Sequence, residues 1–163
     1  MSDKARFEQH ALNLGKLTGN LQTIEMAARL AIVKLDKAAG ERIQSQLPQV
    51  RVGELIETNA FTNKDDLNQT LEKYNKCAPL DCRVDRKSIV ALRDGLAHGR
   101  VFGARTMKHL RLLKFSRKAT EGRVAVELAI DMTEEWFLEN IRRLNEAVAK
   151  ITKALDYESR EFN

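Results

Sequence analysis

Arg93, Asp94 and His98 interrupt an otherwise apolar stretch, S-I-V-A-L-R-D-G-L-A-H-G-R-V from Ser88 to Val101, and are the residues best suited to chemistry on a phosphate. Histidine exchanges a proton near neutral pH, arginine holds phosphate with a planar and permanently charged fork, and a carboxylate can orient an imidazole. RNA suits such a trio because it carries its own nucleophile. Its 2′-hydroxyl can attack the neighbouring phosphate if a base takes the proton, an acid supplies the leaving oxygen and a cation stabilises the crowded phosphorane. In that scheme His98 does the proton work, Arg93 stabilises the phosphorane and Asp94 orients His98.

The spacing says how these groups must be carried. Ile89, Leu92 and Leu96 recur at helical intervals and can bury one stripe, so the stretch is expected to be a helix. Asp94 and His98 are four apart and stack on one turn. Arg93 lies roughly 140° around the axis from His98, so the two converge poorly within one helix and meet best across a two-fold axis. A homodimer is therefore expected. Asp85 is placed to cap this helix at its start, and Gly99 to end it in the C′ position. His98 then falls in the last turn, where the helix dipole and Asp94 both favour the imidazolium.

Arg93-Asp94-x3-His98 resembles the R-x4-H motif of the HEPN domain family, in which a polar residue commonly follows the arginine and the motif lies on a helix of an α-helical bundle. The match covers about 14 residues closely, and the rest of the chain agrees in general layout. The resemblance implies a homodimer with facing motifs and, in the catalytic members, metal-independent endoribonuclease activity of toxin or defence type. It also implies an antitoxin or nucleotidyltransferase as a partner. The alternative it leaves open is a non-catalytic dimeric module that binds RNA or nucleotide, or acts as a scaffold, in which Arg93, Asp94 and His98 form a polar network at the interface.

Charge along the chain points toward a polyanion. The formal net charge is +5 and the pI about 9.3, and the block from Gly99 to Thr120 holds seven Lys or Arg and no Asp or Glu. Arg100, Arg105, Lys108, Arg111 and Lys114 are the expected RNA-binding residues, with Arg117 and Lys118 completing the block. The same block can also be read as a solvated hairpin with a basic face. No glycine-rich phosphate loop, H-E-x-x-H, G-x-S-x-G or set of convergent carboxylates is present in the sequence. Neither a metal nor a cofactor is therefore expected.

The chain has 163 residues, enough for one domain with a core that needs no staple. Hydrophobic residues make up 43% and charged residues 31%, and no apolar run reaches the length of a membrane span. With M-S-D-K-A-R-F-E at its start in place of an apolar signal core, the chain is expected in the cytoplasm with no membrane association. Cys77 and Cys82 are expected to remain reduced as incidental thiols beside a turn; a zinc site or disulfide is the weaker alternative.

The expected fold class is mainly α, a HEPN-like helical bundle with one β-hairpin inserted before the C-terminal helix, all in a single domain spanning 1–163. A long helix is expected over about 4–38, with Phe7, Leu14, Leu21, Ala28 and Leu35 on one apolar series and Leu17, Ile24 and Ala31 on another; Gly15 and Gly19 invite a kink near Asn20. Gly40 ends that helix, Pro48 breaks the chain, and Val50 to Ile56 form a short helix or turn. Asn63 caps a helix over about 64–77 whose buried face is Leu67, Leu71 and Tyr74, and Pro79 stops it. The motif helix takes about 85–98 and the hairpin about 108–131. In the hairpin Val124, Val126, Leu128 and Ile130 form a buried face, His109 to Ser116 supplies the partner strand, and the loop contains Gly122. Thr133 caps a last helix over about 133–158, with Phe137, Ile141, Leu144, Val148, Ile151 and Leu155 on its apolar face. His10 and His109 are read as helix and surface histidines, and Trp136 as a core or interface anchor.

Overall fold

Spacings of four and three separate Leu17, Leu21, Ile24, Ala28 and Ala31, and all five are buried along one stripe of the first helix, α1 (Asp3–Leu35). The computed structural model describes residues 3–35, 49–104 and 107–157. The expected helix end at Gly40, the break at Pro48 and the basic residue Arg105 lie outside those residues. α1 passes without a break through Gly15 and Gly19. Neither glycine has a neighbour within 4 Å of where a Cβ would stand, so they cost helix propensity without disturbing packing. Phe7, placed on the buried series by its spacing, is 69% exposed; the apolar repeat outruns the length of helix that is covered.

The chain folds as two compact units, one of Met1–Gly19 with Lys87–Leu144 and one of Asn20–Arg86 with Asn145–Asn163. Among the described residues the second is helical in its regular elements. α2 (Leu67–Cys77) begins three residues later than a cap at Asn63 would allow, because Asp66 is the N-cap. Asp66 Oδ1 accepts the Gln69 backbone N–H at 2.8 Å while Gln69 Oε1 accepts the Asp66 N–H at 3.0 Å, a reciprocal capping box. The Asn63 side chain instead accepts from Arg29. Leu67, Leu71 and Tyr74 are buried as the sequence indicates, and the Tyr74 hydroxyl donates to the Cys82 carbonyl at 3.0 Å. A 3-10 turn over Leu80–Cys82 follows Pro79. Val50 to Ile56 form a turn, not a helix, with Gly53 at φ 93.

The first unit contains α3 (Arg86–His98) from Lys87 onward and three strands, β1 (Arg100–Phe102), β2 (Arg111–Thr120) and β3 (Arg123–Asp131). The strands form an antiparallel sheet in the order β1-β2-β3. The hairpin closes on Glu121 and Gly122 at φ 52 and 74, the positive pair that a two-residue hairpin turn needs. Its register slips twice: Lys114 is opposite Leu128 but Phe115 opposite Val126, and Ala119 is opposite Val124. The Ser116 hydroxyl fills the irregularity, accepting from the Ala125 N–H at 3.1 Å and donating to the Lys118 carbonyl at 2.9 Å.

Burial on the hairpin is confined to its base. Leu112 is fully buried and Leu128 and Ile130 partly, whereas Val124 and Val126 are 50% and 58% exposed, which corrects the expected four-residue buried face. The alternation is that of a strand, but the distal half extends past the helices that could cover it. α4 (Glu134–Tyr157) starts where expected: Thr133 Oγ1 accepts the Trp136 N–H at 3.1 Å, and Glu134 and Glu135 occupy the first turn. Phe137, Leu144 and Ile151 are buried, while Ile141, Val148 and Leu155 are half-buried, their stripe shared with Asn140, Ala147 and Ala154. The chain is thus mainly helical with a small antiparallel sheet. No helix among the described residues is long and apolar enough to cross a membrane.

Candidate functional site

α3 carries the three motif residues. It begins directly after Asp85 and ends at His98, and Ile89 is fully buried while Leu92 and Leu96 are half-buried. Gly95 and Gly99, one turn apart, form its contact with the sheet. A Cβ on Gly95 would stand 3.1 Å from Leu128 Cδ2 and 3.6 Å from Leu112 Cδ2. A Cβ on Gly99 would fall 2.2 Å from the Gly95 carbonyl oxygen and 2.7 Å from Leu112 Cδ1. Gly99 does not adopt the left-handed conformation of a C′ residue, since the positive-φ glycines among the described residues are Gly53 and Gly122. Its N–H still bonds the Gly95 carbonyl at 2.8 Å, and the chain turns into β1 one residue later. The glycine is needed there for room, not for handedness.

Arg93 and Asp94 are half-buried and joined to each other, with Arg93 Nη1 donating to Asp94 Oδ1 at 2.9 Å. His98 is exposed in the last turn. Among the described residues neither Asp94 nor any other group makes a hydrogen bond to the imidazole, so the expected Asp94–His98 pair is replaced by an Arg93–Asp94 pair. Adjacent residues can pair in this way because the long arginine side chain can lie along the helix surface and reach back to its neighbour.

The basic residues part into different environments. Arg100 is exposed, with its guanidinium carbon 5.7 Å from the Phe115 ring centroid. Arg111 Nε lies 3.1 Å from Asp131 Oδ1, and Lys114 Nζ 3.5 Å from Glu127 Oε2. Lys108, Arg117 and Lys118 are exposed. Acids from β3 therefore answer two of the expected RNA-binding cations, a pairing that the run of basic residues alone does not reveal.

Among the described residues no three His, Cys, Asp or Glu side chains converge as metal ligands. Cys77 and Cys82 are both free thiols, the second buried. His10 sits with its ring edge-on to Phe137, centroids 4.8 Å apart, and its Nε2 is enclosed without a partner. Burial, and then the nearby His109, hold its pKa below the ordinary imidazole value. A histidine so placed is a packing residue.

Two features escape sequence reasoning. β1 is one, although R-V-F directly after the helix end has the alternation of a short strand. Arg29 is the other: it is 9% exposed on α1 and donates to the Glu25 carboxylate, the Ala60 and Asp65 carbonyls and the Asn63 side chain. Nothing in its local sequence distinguishes it from a surface arginine.

No family model matches the chain, and neither does any curated protein or solved structure.

Proposed function

We propose that the chain is a metal-independent endoribonuclease of HEPN type that acts as a homodimer on RNA. The observation that carries this reading is His98, an exposed imidazole at the end of a helix that also carries Arg93, one residue from a strand that opens a basic block. A neutral His98 would take the 2′-hydroxyl proton, and the protonated His98 of the second protomer would supply the leaving oxygen. Arg93, held in place by Asp94, would stabilise the phosphorane charge. Arg100 and Lys108 would hold flanking phosphates. Division of the acid and base roles between protomers answers the angular separation of Arg93 and His98 on one helix.

A second reading, a non-catalytic dimeric module that binds RNA or nucleotide or serves as a scaffold, is favoured by one observation. Arg93 is already engaged by Asp94, and among the described residues no carboxylate fixes the tautomer of His98. End-labelled RNA incubated in EDTA with wild type, Arg93→Ala and His98→Ala, alongside sedimentation of each, separates the two. Cleavage by wild type that both variants lose while remaining folded dimers supports the nuclease. No cleavage by wild type, with dimerisation lost in the variants, supports the module.

A further inference from the structure

We propose that the face of the sheet turned away from α3 is a stacking platform for single-stranded RNA, with Phe102 and Phe115 taking bases and Arg100 and Arg111 taking phosphates. The register defines the face. Directly opposed residues point to the same side of a sheet and neighbours along a strand to opposite sides. Phe102 is opposed to Arg111 and Arg100 to Leu113 on the β1 side, while Phe115 is opposed to Val126 and Arg111 to Asp131 on the β3 side. Arg100, Phe102, Arg111, Leu113 and Phe115 therefore share one face, with Asp131 opposite Arg111. Leu112 and Leu128, which meet Gly95 of α3, share the other.

The two faces differ in kind. On the proposed face Arg100, Phe102 and Arg111 are exposed and Leu113 and Phe115 half-buried, with Phe102 at 53%. Arg100 already lies over the Phe115 ring, which shows that this ring accepts a flat cationic group on its face. Phe102 and Phe115 are one strand and four residues apart, about 14 Å from strand geometry. Stacked neighbours in a nucleic-acid strand rise by only about 3.4 Å, so the two rings would hold non-adjacent bases of one strand.

Charge selects the occupant. The β1 and β2 part of the face lies within the acid-free block from Gly99 to Thr120, and β3 adds one acid opposite Arg111, Asp131, which is exposed and already paired with that arginine at 3.1 Å. An exposed pair of that kind is weak and yields readily to a phosphate. A second copy of the same face would bring Arg100 and Arg111 against their like, and an apolar peptide would leave both unanswered. A single strand offers base faces to the rings and phosphates to the forks, and a duplex hides the former. None of the residues sharing the face is Asn or Gln, so binding is expected to tolerate sequence. The choice of RNA over DNA rests on the function proposed above; the stacking itself does not.

The test is fluorescence polarisation with a labelled oligouridylate of about twelve nucleotides, the matching oligothymidylate and an RNA duplex of that length. Expected are tighter binding of oligouridylate than of duplex, and a loss of about five- to 150-fold in Phe102→Ala, the range measured for one stacked base. Phe102→Tyr keeps the ring and should bind as wild type does. Phe115→Tyr tests the second ring without opening the half-buried site and should also retain binding. Binding of duplex as tight as of single strand, unchanged affinity in Phe102→Ala, no binding of oligouridylate by wild type, or tighter binding of oligothymidylate would each overturn the proposal. Its failure is distinct from that of the nuclease reading: oligouridylate binding that Phe102→Ala loses, with no cleavage by wild type in EDTA, leaves the platform standing while the nuclease falls.

Discussion

Arg93 Nη1 and Asp94 Oδ1 are joined at 2.9 Å between neighbours on α3, and that bond assigns the carboxylate to the arginine, not to His98. In the proposed nuclease the consequence is a graded set of losses. His98→Ala should lower RNA cleavage by about 10²- to 10⁴-fold, the usual weight of a general acid or base. Asp94→Asn, which keeps a hydrogen-bonding oxygen for Arg93, should cost less than about tenfold. Single-turnover rates with labelled RNA measure both; equal losses would return Asp94 to a role on the imidazole.

Stability should fall on mild acidification because of His10. Its pKa is held below the free value of about 6.5, first by burial and then by the charge of His109. The folded chain therefore refuses a proton that the unfolded chain accepts, so the stability present above about pH 6.5 is lost as pH falls through the lowered value. Thermal melts of wild type and His10→Leu between about pH 7.5 and about pH 5 should show the wild type losing more. Parallel declines would assign the loss to other groups.

One substitution should act with opposite sign at different glycines. Gly99→Ala places a methyl against the Gly95 carbonyl oxygen and Leu112, and should destabilise by about 1–3 kcal/mol or more. Gly15→Ala meets nothing within 4 Å on an exposed helix face and should stabilise by about 0.5–1 kcal/mol. Urea titrations read both, and a Gly99→Ala protein as stable as wild type would contradict the close approach of α3 to β2.

Arg29 should prove as costly to remove as a core residue. Arg29→Met would keep the aliphatic stem on α1 but leave the Ala60 and Asp65 carbonyls without their donor, a loss of about 2–4 kcal/mol. Faster amide exchange confined to residues near Asn59 to Asp65 is the accompanying signature. A change below about 0.5 kcal/mol would show the arginine to be an ordinary surface group.

Helices were legible where an apolar period coincided with a cap. The Leu17 to Ala31 stripe, the face of α2, the motif helix ending at His98 and the Thr133 start of α4 all follow from spacing and capping residues. The period does not encode how far the covering layer extends, which is why Phe7, Val124 and Val126 carry the pattern of buried residues and stand in solvent. Asn63 and Asp66 are both good caps, and the choice between them was decided by Gln69 three residues after Asp66 and by Arg29 drawing Asn63 away. The pairing of Asp94 was not legible, because its spacing offers it two partners, His98 one turn on and the adjacent Arg93, and the structure joins it to the second.

Gly99 is the only residue between the imidazole-bearing turn and the strand that starts at Arg100. Such a joint has no slack: its backbone is bonded to Gly95 on one side and pressed against Leu112 on the other. A methyl at that joint would have to displace either the helix end or the strand, so the directions of His98 and Arg100 are fixed together.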